Sequence, residues 1–154
     1  MPKASDTTGQ DDRFNLSRFV SAQARIYDDV LAELRSGQKR THWMWFIFPQ
    51  IEGLGYSATS MHYAIKSEAE ARQYLKHPVL GRRLLECAET VLNIEGRAAS
   101  DIFGYPDDLK LKSSMTLFAY VTHPESVFAR VLDKYFQGKH DAMTVSLLER
   151  LKAR

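Results

Sequence analysis

The densest group of polar side chains outside ordinary helix faces lies between residues 101 and 116. It comprises Asp101, Asp107, Asp108, Lys110, Lys112, Ser113, Ser114 and Thr116. Hydrolysis of an N-glycosidic bond needs a carboxylate beside an oxocarbenium-like centre and a second group that orients water. The three aspartates could supply these groups, with Asp101 as the candidate catalytic residue. The lysines and hydroxyls could bind a phosphate or a ribose, so this stretch predicts one wall of a site for a nucleotide or a ribosylated compound.

Several members of this group also have an ordinary structural interpretation. Asp107 and Asp108 would favour the positive end of a helix, and Asp101 could cap a short turn. The lysines could be solvated side chains. Because Lys112, Ser113 and Ser114 fall within one helical turn, they are harder to explain as surface residues, and we interpret them as functional.

An aromatic segment, residues 42–50, could form a second wall. It contains both tryptophans of the chain, Trp43 and Trp45, and stacking of a base on such a ring is worth about 1–3 kcal/mol. His42 could act as a base or contact a ligand because histidine titrates near neutrality. Alternatively, it could bond to a backbone carbonyl at the start of a helix. The indole N–H groups and Gln50 need partners in the protein or in a ligand.

A glycine-containing turn, Gly53-Leu54-Gly55, follows this segment directly. Its backbone N–H groups could approach an anion, although a plain turn explains the glycines equally well. His62, seven residues after Gly55, could face the same cavity. The predicted binding residues are therefore His42, Trp43, Trp45, Gln50, Gly55, His62, Lys110, Lys112, Ser113 and Ser114. No His-x-x-x-His or Cys-x-x-Cys spacing is present, so we expect no metal ion and no cofactor.

Amphipathic helices must position these residues. Apolar residues recur at helical spacing from about residue 17 to 36, and we interpret the aromatic segment as a short buried helix that ends before Pro49. Ser67 opens a helix with a capping box, and proline suits the first turn of others. Further helices are predicted from Pro78 to Leu92, from Pro106, over residues 127–136 and from Asp141 to the end.

Two stretches of the chain match at an offset of 46 residues. Each has an apolar residue, Lys and Ser, then a Tyr, then His-Pro: the first begins at Ile65 and the second at Leu111. Two such units suggest helix pairs stacked as a short superhelix, whereas the alternative is that His-Pro merely recurs at helix starts. We predict an all-α fold, with one compact domain of about six to eight helices over residues 14–154 and a disordered tail over residues 1–13.

The bulk composition restricts the function. A chain of 154 residues with net charge +2 has neither the basic excess nor the Lys/Arg runs typical of nucleic-acid binding. No apolar stretch is long enough for a membrane span, and the polar N-terminus lacks the apolar region of a signal peptide. We therefore expect a cytoplasmic protein without nucleic-acid or membrane partners. The single cysteine, Cys87, lies in a helical pattern and is predicted to be an inert core thiol.

A larger set of residues resembles the bacterial family known as domain of unknown function 1810. The resemblance covers nearly all of residues 14–151. Its strongest parts are residues 42–50, Gly53-Leu54-Gly55, residues 60–65, His77-Pro78-Val79-Leu80-Gly81, Asp101-Ile102-Phe103-Gly104 and residues 107–118. It implies an all-α fold with a right-handed superhelical arrangement of helices, and no established activity.

One part of the chain also resembles the NADAR family of small, mostly helical N-glycosidases, which act on ribosylated or ADP-ribosylated compounds. In that family an Asp-x-x-Trp-Gly stretch follows the middle helix. Here the corresponding stretch is Asp101-Ile102-Phe103-Gly104, with Phe in place of Trp. The asparagine-rich segment that follows in that family is absent.

Two functional hypotheses follow. The first is a small helical protein with a polar pocket that binds, or hydrolyses as an N-glycosidase, a nucleotide or an ADP-ribose-like compound. The second is a non-enzymatic interaction module that offers a concave helical face to a protein partner. A cavity shared by residues 42–50 and residues 101–116 would favour the first.

Overall fold

The computed structural model describes residues 12–153, and in this range the chain is helical. Seven longer helices are α1 (Ser17–Gln23), α2 (Tyr27–Arg35), α5 (Glu68–Lys76), α6 (Leu80–Leu92), α8 (Asp107–Tyr120), α9 (Val127–Phe136) and α10 (Ala142–Lys152). Three short helices are α3 (Met44–Ile47), α4 (Ala58–His62) and α7 (Ala99–Phe103). Within the described range the only extended pairing is an isolated parallel bridge between Ile51 and Ile65. The all-α prediction is confirmed.

Helix α8 lies at the centre of the packing. It contacts α3, α7, α9 and α10, while α6 packs against α2, α5 and α9. Leu111, Met115 and Phe118 of α8 are fully buried in one continuous apolar core. The ring of Phe118 lies 5.5 Å from that of Tyr74 and 5.6 Å from that of Phe128. Since α8 also begins with Asp107, the core fixes the position of that carboxylate.

The prediction of one helix over residues 17–36 is wrong, because the chain breaks between α1 and α2. Gln23 is 1% exposed, and its amide nitrogen donates to the Phe46 carbonyl at 2.8 Å. The N–H groups of Ala24 and Ile26 donate to carbonyls three residues earlier instead of four. The inward amide of Gln23 and this tight turn interrupt a helix that apolar periodicity alone would continue.

The predicted helix ends are largely confirmed. The Ser67 hydroxyl accepts the Glu70 N–H at 3.0 Å, and the Asp141 carboxylate accepts the Thr144 N–H at 3.0 Å. Nδ1 of His77 accepts the N–H groups of the next helix start, at Val79 and Leu80. The short buried helix before Pro49 is α3. Local capping chemistry therefore determines where most helices begin.

The internal repeat does not hold at its Lys-Ser positions. Ser67 caps α5, whereas Ser113 lies inside α8 and donates to the Leu109 carbonyl. Matching residues thus occupy different places in their helices. The right-handed superhelical arrangement stays a prediction.

The predicted disordered tail falls mostly on residues 1–11, outside the described residues. Asp12, the first described residue, accepts the N–H groups of Leu16 and Ser17. Among residues 12–153, no helix combines the length and the apolar character needed to cross a membrane.

The buried thiol behaves as predicted. Cys87 is 0% exposed, and burial raises the pKa of its thiol to about 12. A thiol that stays protonated at neutral pH is a poor nucleophile. Cys87 is therefore a core residue.

Candidate ligand-binding cleft

A narrow cleft with a volume of about 20 Å³ opens between the aromatic segment and the glycine turn. Its lining is Trp45, Gln50, Ile51, Glu52, Gly53, Leu54, Gly55, Ser60, Met61, Tyr63 and Ala64. Three predicted binding residues, Trp45, Gln50 and Gly55, therefore meet in one place. A volume this small holds about one water molecule and is far below the range for enclosed small-molecule sites, so a ligand would lie at the mouth of the cleft.

Backbone pairing holds the floor of the cleft. The Ile65 N–H donates to the Gln50 carbonyl, and the Glu52 N–H donates to the Ile65 carbonyl, both at 2.8 Å. This bridge joins the end of the aromatic segment to the chain that follows α4. Its two ends can move apart only if these hydrogen bonds break.

Both glycines of the turn lie close to other side chains, and Gly53 also has a backbone conformation that favours glycine. Gly53 has φ +108°, and a side chain there would meet Leu147 of α10 at 3.2 Å. A side chain at Gly55 would lie 2.8 Å from the Ser60 hydroxyl. These contacts support the plain-turn interpretation of the glycines, and anion binding by the turn stays a prediction.

A chain of alternating charges lies beside the two tryptophans. The Lys39 ammonium is 2.9 Å from one Asp107 carboxylate oxygen, and the Lys110 ammonium is 3.3 Å from the other. Lys39 lies 5.0 Å from the centre of the Trp43 ring, and Lys110 lies 4.6 Å from the centre of the Trp45 ring. The sequence predicts that Lys110 and the tryptophans share a site, but it indicates no role for Lys39.

Trp43 faces the core and not the cleft. It is 2% exposed, and its indole N–H donates to Glu33 at 3.0 Å. Glu33 also accepts the N–H groups of Arg40 and Thr41 and the Thr41 hydroxyl. Burial by itself would raise the pKa of Glu33, but these hydrogen bonds outweigh it and lower the pKa to about 2. The sequence patterns do not indicate this anchor.

The two candidate histidines lie outside the cleft. His42 is exposed. His62, predicted to face the glycine-turn cavity, instead lines a neighbouring groove with Arg18, Lys66 and Glu70. The structure therefore does not bring either imidazole to Trp45.

Asp101 is exposed, and its carboxylate accepts the Ala98 N–H at 2.9 Å at the start of α7. The predicted cap of a short turn at residues 102–103 is therefore wrong in position, because Asp101 lies inside α7 and bonds back to the N–H of the residue before the helix. Lys112 lies about 160° around α8 from Lys110, because each helical residue turns by about 100°. It shares a face with Thr116, whose hydroxyl accepts the Asp141 N–H. Neither Asp101 nor Lys112 lines the cleft, and the predicted cavity shared by residues 42–50 and 101–116 is wrong for this cleft, because its lining contains no residue of 101–116.

The two serines of α8 are buried. Ser113 donates to the Leu109 carbonyl at 3.1 Å. Ser114 is 0% exposed, and its hydroxyl has no hydrogen-bond partner among the described residues. Neither serine lines the cleft.

We expect Ser114→Ala to leave stability unchanged or to raise it by about 1 kcal/mol, because it removes a buried hydroxyl that has no partner. Urea unfolding followed by circular dichroism would measure this. Ser113→Ala is the control, since it removes a hydroxyl that is bonded. A loss of more than about 1 kcal/mol in Ser114→Ala would show that the hydroxyl has a partner or a packing role.

Comparison with known proteins places the chain among uncharacterised relatives. The family described as "Protein of unknown function (DUF1810)" matches residues 13–148. The crystal structure of the conserved hypothetical protein Rv1873 from Mycobacterium tuberculosis at 1.38 Å shares 53% sequence identity, with a TM-score of 0.87. The match covers 88% of this chain and 97% of that one. No curated protein matches. The likeness to the NADAR family stays a resemblance.

Proposed function

Since the chain belongs to the DUF1810 family, whose description names no function, we propose a function from the cleft itself. The protein binds a small molecule that combines a flat ring with an anionic group, in the class of nucleotides and ADP-ribose-like compounds. The observation that carries this proposal is the meeting of Trp45, Gln50 and Gly55 in one cleft, with Lys110 over the Trp45 ring.

The lining of the cleft supports a flat ligand. The half-buried indole of Trp45 offers a surface on which a ring at the mouth of the cleft can stack, and stacking on an aromatic side chain contributes about 1–3 kcal/mol per base. Gln50, which is partly exposed at the cleft, carries both a donor and an acceptor for the edge of such a ring. Small-molecule sites are mostly apolar with a few placed polar groups, and this lining has that character.

The charge beside the cleft supports an anionic group on the ligand. Lys39 and Lys110 together carry two positive charges, and Asp107 carries one negative charge. The chain of three is therefore net positive and counters the negative charge of Glu52 in the cleft lining. Lys110 does not line the cleft, so its charge would attract a ligand phosphate through space rather than by a hydrogen bond.

The geometry supports binding better than hydrolysis. The candidate catalytic carboxylate, Asp101, is engaged at the start of α7 and does not line the cleft. Of the acidic side chains, the cleft lining contains only Glu52. An inverting or retaining glycosidase uses a pair of carboxylates around the scissile bond. The proposal is therefore a binding protein.

Isothermal titration and thermal unfolding, each with AMP and ADP-ribose, test this function. Ligand at a hundredfold excess over its Kd stabilises the fold by about 2.7 kcal/mol, which raises the melting temperature by roughly 5–10 °C. Trp45→Ala should weaken binding by about tenfold or more because the stacking surface is removed. Tyr105→Ser is the matched control, since Tyr105 is an aromatic residue that is 81% exposed and lies outside the cleft lining.

Absence of binding by every nucleotide and nucleoside tested, at millimolar concentration, would contradict the proposal. Equal affinity of the wild type and Trp45→Ala for these compounds would show that they bind outside the cleft.

A second candidate, a protein-interaction module, has one observation in its favour. Tyr56, which follows the cleft residue Gly55, is 84% exposed, and Met61, which lines the cleft, is 52% exposed. Large exposed aromatic and Met side chains are enriched at protein interfaces. A partner protein that binds equally well to the wild type and to Trp45→Ala, but not to Tyr56→Ser, would favour this function over the first.

A further inference from the structure

We propose that Lys39, Asp107 and Lys110 form a positioning chain that holds the Trp45 ring as a wall of the cleft and makes the site prefer anionic ligands. The ligand preference rests on the proposed function, whereas the positioning of the ring does not. Asp107 is the central residue of this chain, and it acts on the ligand only through Lys110 and Trp45.

The chain starts from a fixed point in the protein. The Lys39 side chain is 6% exposed, and its ammonium donates to the Thr41 carbonyl as well as to Asp107. The Lys39 N–H donates to the Ile102 carbonyl at 2.7 Å. Lys39 is thus held through both its backbone and its side chain, and its ammonium cannot leave without losing several contacts.

Asp107 transmits this fixed position to Lys110. Its two carboxylate oxygens pair with different lysines, at 2.9 Å and 3.3 Å, and its side chain is 20% exposed. As the first residue of α8 it is rigidly attached to the helix that forms the centre of the core. A carboxylate held in this way restricts where the Lys110 ammonium can lie.

Lys110 links Asp107 to the Trp45 ring. Its side chain is 25% exposed, and its ammonium lies 4.6 Å from the centre of the Trp45 ring. Lys110 does not line the cleft, but Trp45 does. The lysine therefore acts on the ring from outside the cleft: the cation–π contact holds the indole in place, and the charge raises the electrostatic potential at the wall that a ligand meets.

Two neighbouring residues provide matched controls. Asp108 is also in the first turn of α8, but its carboxylate accepts the N–H of Leu109. Asp108→Asn therefore makes the same charge change as Asp107→Asn, with the same loss of favourable helix-dipole interaction. Lys112→Met makes the same side-chain and charge change as Lys110→Met, but on the other side of α8.

Acrylamide quenching of tryptophan fluorescence in the ligand-free protein measures the position of the ring. Because Trp43 is 2% exposed, the quenchable emission comes from Trp45. We expect Asp107→Asn and Lys110→Met to raise the quenching constant by about twofold, in line with the loss of a cation–π contact. Lys110→Arg should restore the wild-type value because guanidinium also stacks on indole. Asp108→Asn and Lys112→Met should not change it.

The ratio of the affinities for AMP and adenosine measures the preference for an anion. The wild type should prefer AMP, and Lys110→Met should reduce this preference by about threefold or more because one positive charge near the phosphate is lost. Lys110→Arg should keep it.

The possible failures are distinguishable. Unchanged quenching in both Asp107→Asn and Lys110→Met overturns the positioning chain, whatever the ligands do. The same AMP-to-adenosine ratio in the wild type and Lys110→Met overturns the anion preference while leaving the proposed function intact. If quenching changes as expected but no nucleotide binds, the positioning chain is supported. The anion preference is then overturned, and the proposed function is contradicted.

Discussion

Glu70→Ala should destabilise the protein by about 3–5 kcal/mol, the largest effect that we expect from a single charged residue. The Glu70 and Arg18 side chains are 2% and 5% exposed and lie 2.7 Å apart. Removing one partner of a buried pair leaves the other charge without compensation, which costs this amount. Urea unfolding followed by circular dichroism measures the loss.

The cost is expected to be high because Arg18 is the centre of a network. Its guanidinium also donates to the carbonyls of Phe14, Asn15, His62 and Ala64. Glu70 in turn accepts the Lys66 N–H at 2.9 Å. The pair thus joins α1, the segment after α4 and the start of α5, so its loss affects three parts of the chain.

Glu68→Ala is the matched control for Glu70→Ala. Glu68 lies in the same first turn of α5 and pairs with Arg72 at 2.6 Å, but the two side chains are 29% and 49% exposed. Exposed pairs of this spacing contribute about 0.3–0.5 kcal/mol. Equal losses in the two variants would mean that the Arg18 network contributes little to stability.

Glu33→Gln should lower stability by about 3 kcal/mol at pH 7, and the loss should shrink as the pH falls. The pKa of Glu33 drops from 4.5 to about 2 in the folded protein. A group whose folded pKa is depressed contributes stability above its unfolded pKa and loses it as the pH falls through the folded pKa. The relevant window is therefore about pH 5 down to pH 2, and a shift of this size corresponds to about 3 kcal/mol.

Unfolding free energies of the wild type and Glu33→Gln, measured from pH 7 to pH 3, test this. Other carboxylates titrate in both proteins, so the difference between the two curves isolates Glu33. Glu52→Gln is the control because Glu52 is exposed. A constant difference over the whole range would show that Glu33 acts through its shape and hydrogen bonds rather than through its charge.

The helical class and most helix starts were predictable because they depend on local chemistry. The residue types of Ser67 and Asp141 predict helix starts. The Ser67 hydroxyl and the Asp141 carboxylate accept the expected N–H groups. The same local rules predicted a capping role for Asp101, whose carboxylate does bond at a helix start, but from the third residue of the helix rather than from the cap position. Where the neighbouring residues determine the structure, sequence patterns were sufficient.

The errors concern side chains with partners distant in sequence. Gln23 breaks a periodic helix where its amide meets Phe46, and Glu33 turns inward to meet Trp43. Helical periodicity assigns each residue to a face, but it does not specify what lies opposite that face. For the same reason, Lys110 and Lys112 were equivalent candidates in the sequence, and only Lys110 reaches a tryptophan ring.

The two indole N–H resonances in a proton–nitrogen correlation spectrum test the central claim most directly. Trp45 lines the cleft, whereas the Trp43 N–H is bonded to Glu33 inside the core. Trp45→Phe assigns the two signals. The account predicts that added AMP shifts the Trp45 signal in a saturable manner and leaves the Trp43 signal in place. A spectrum in which neither indole signal moves, or in which only the Trp43 signal moves, would contradict it.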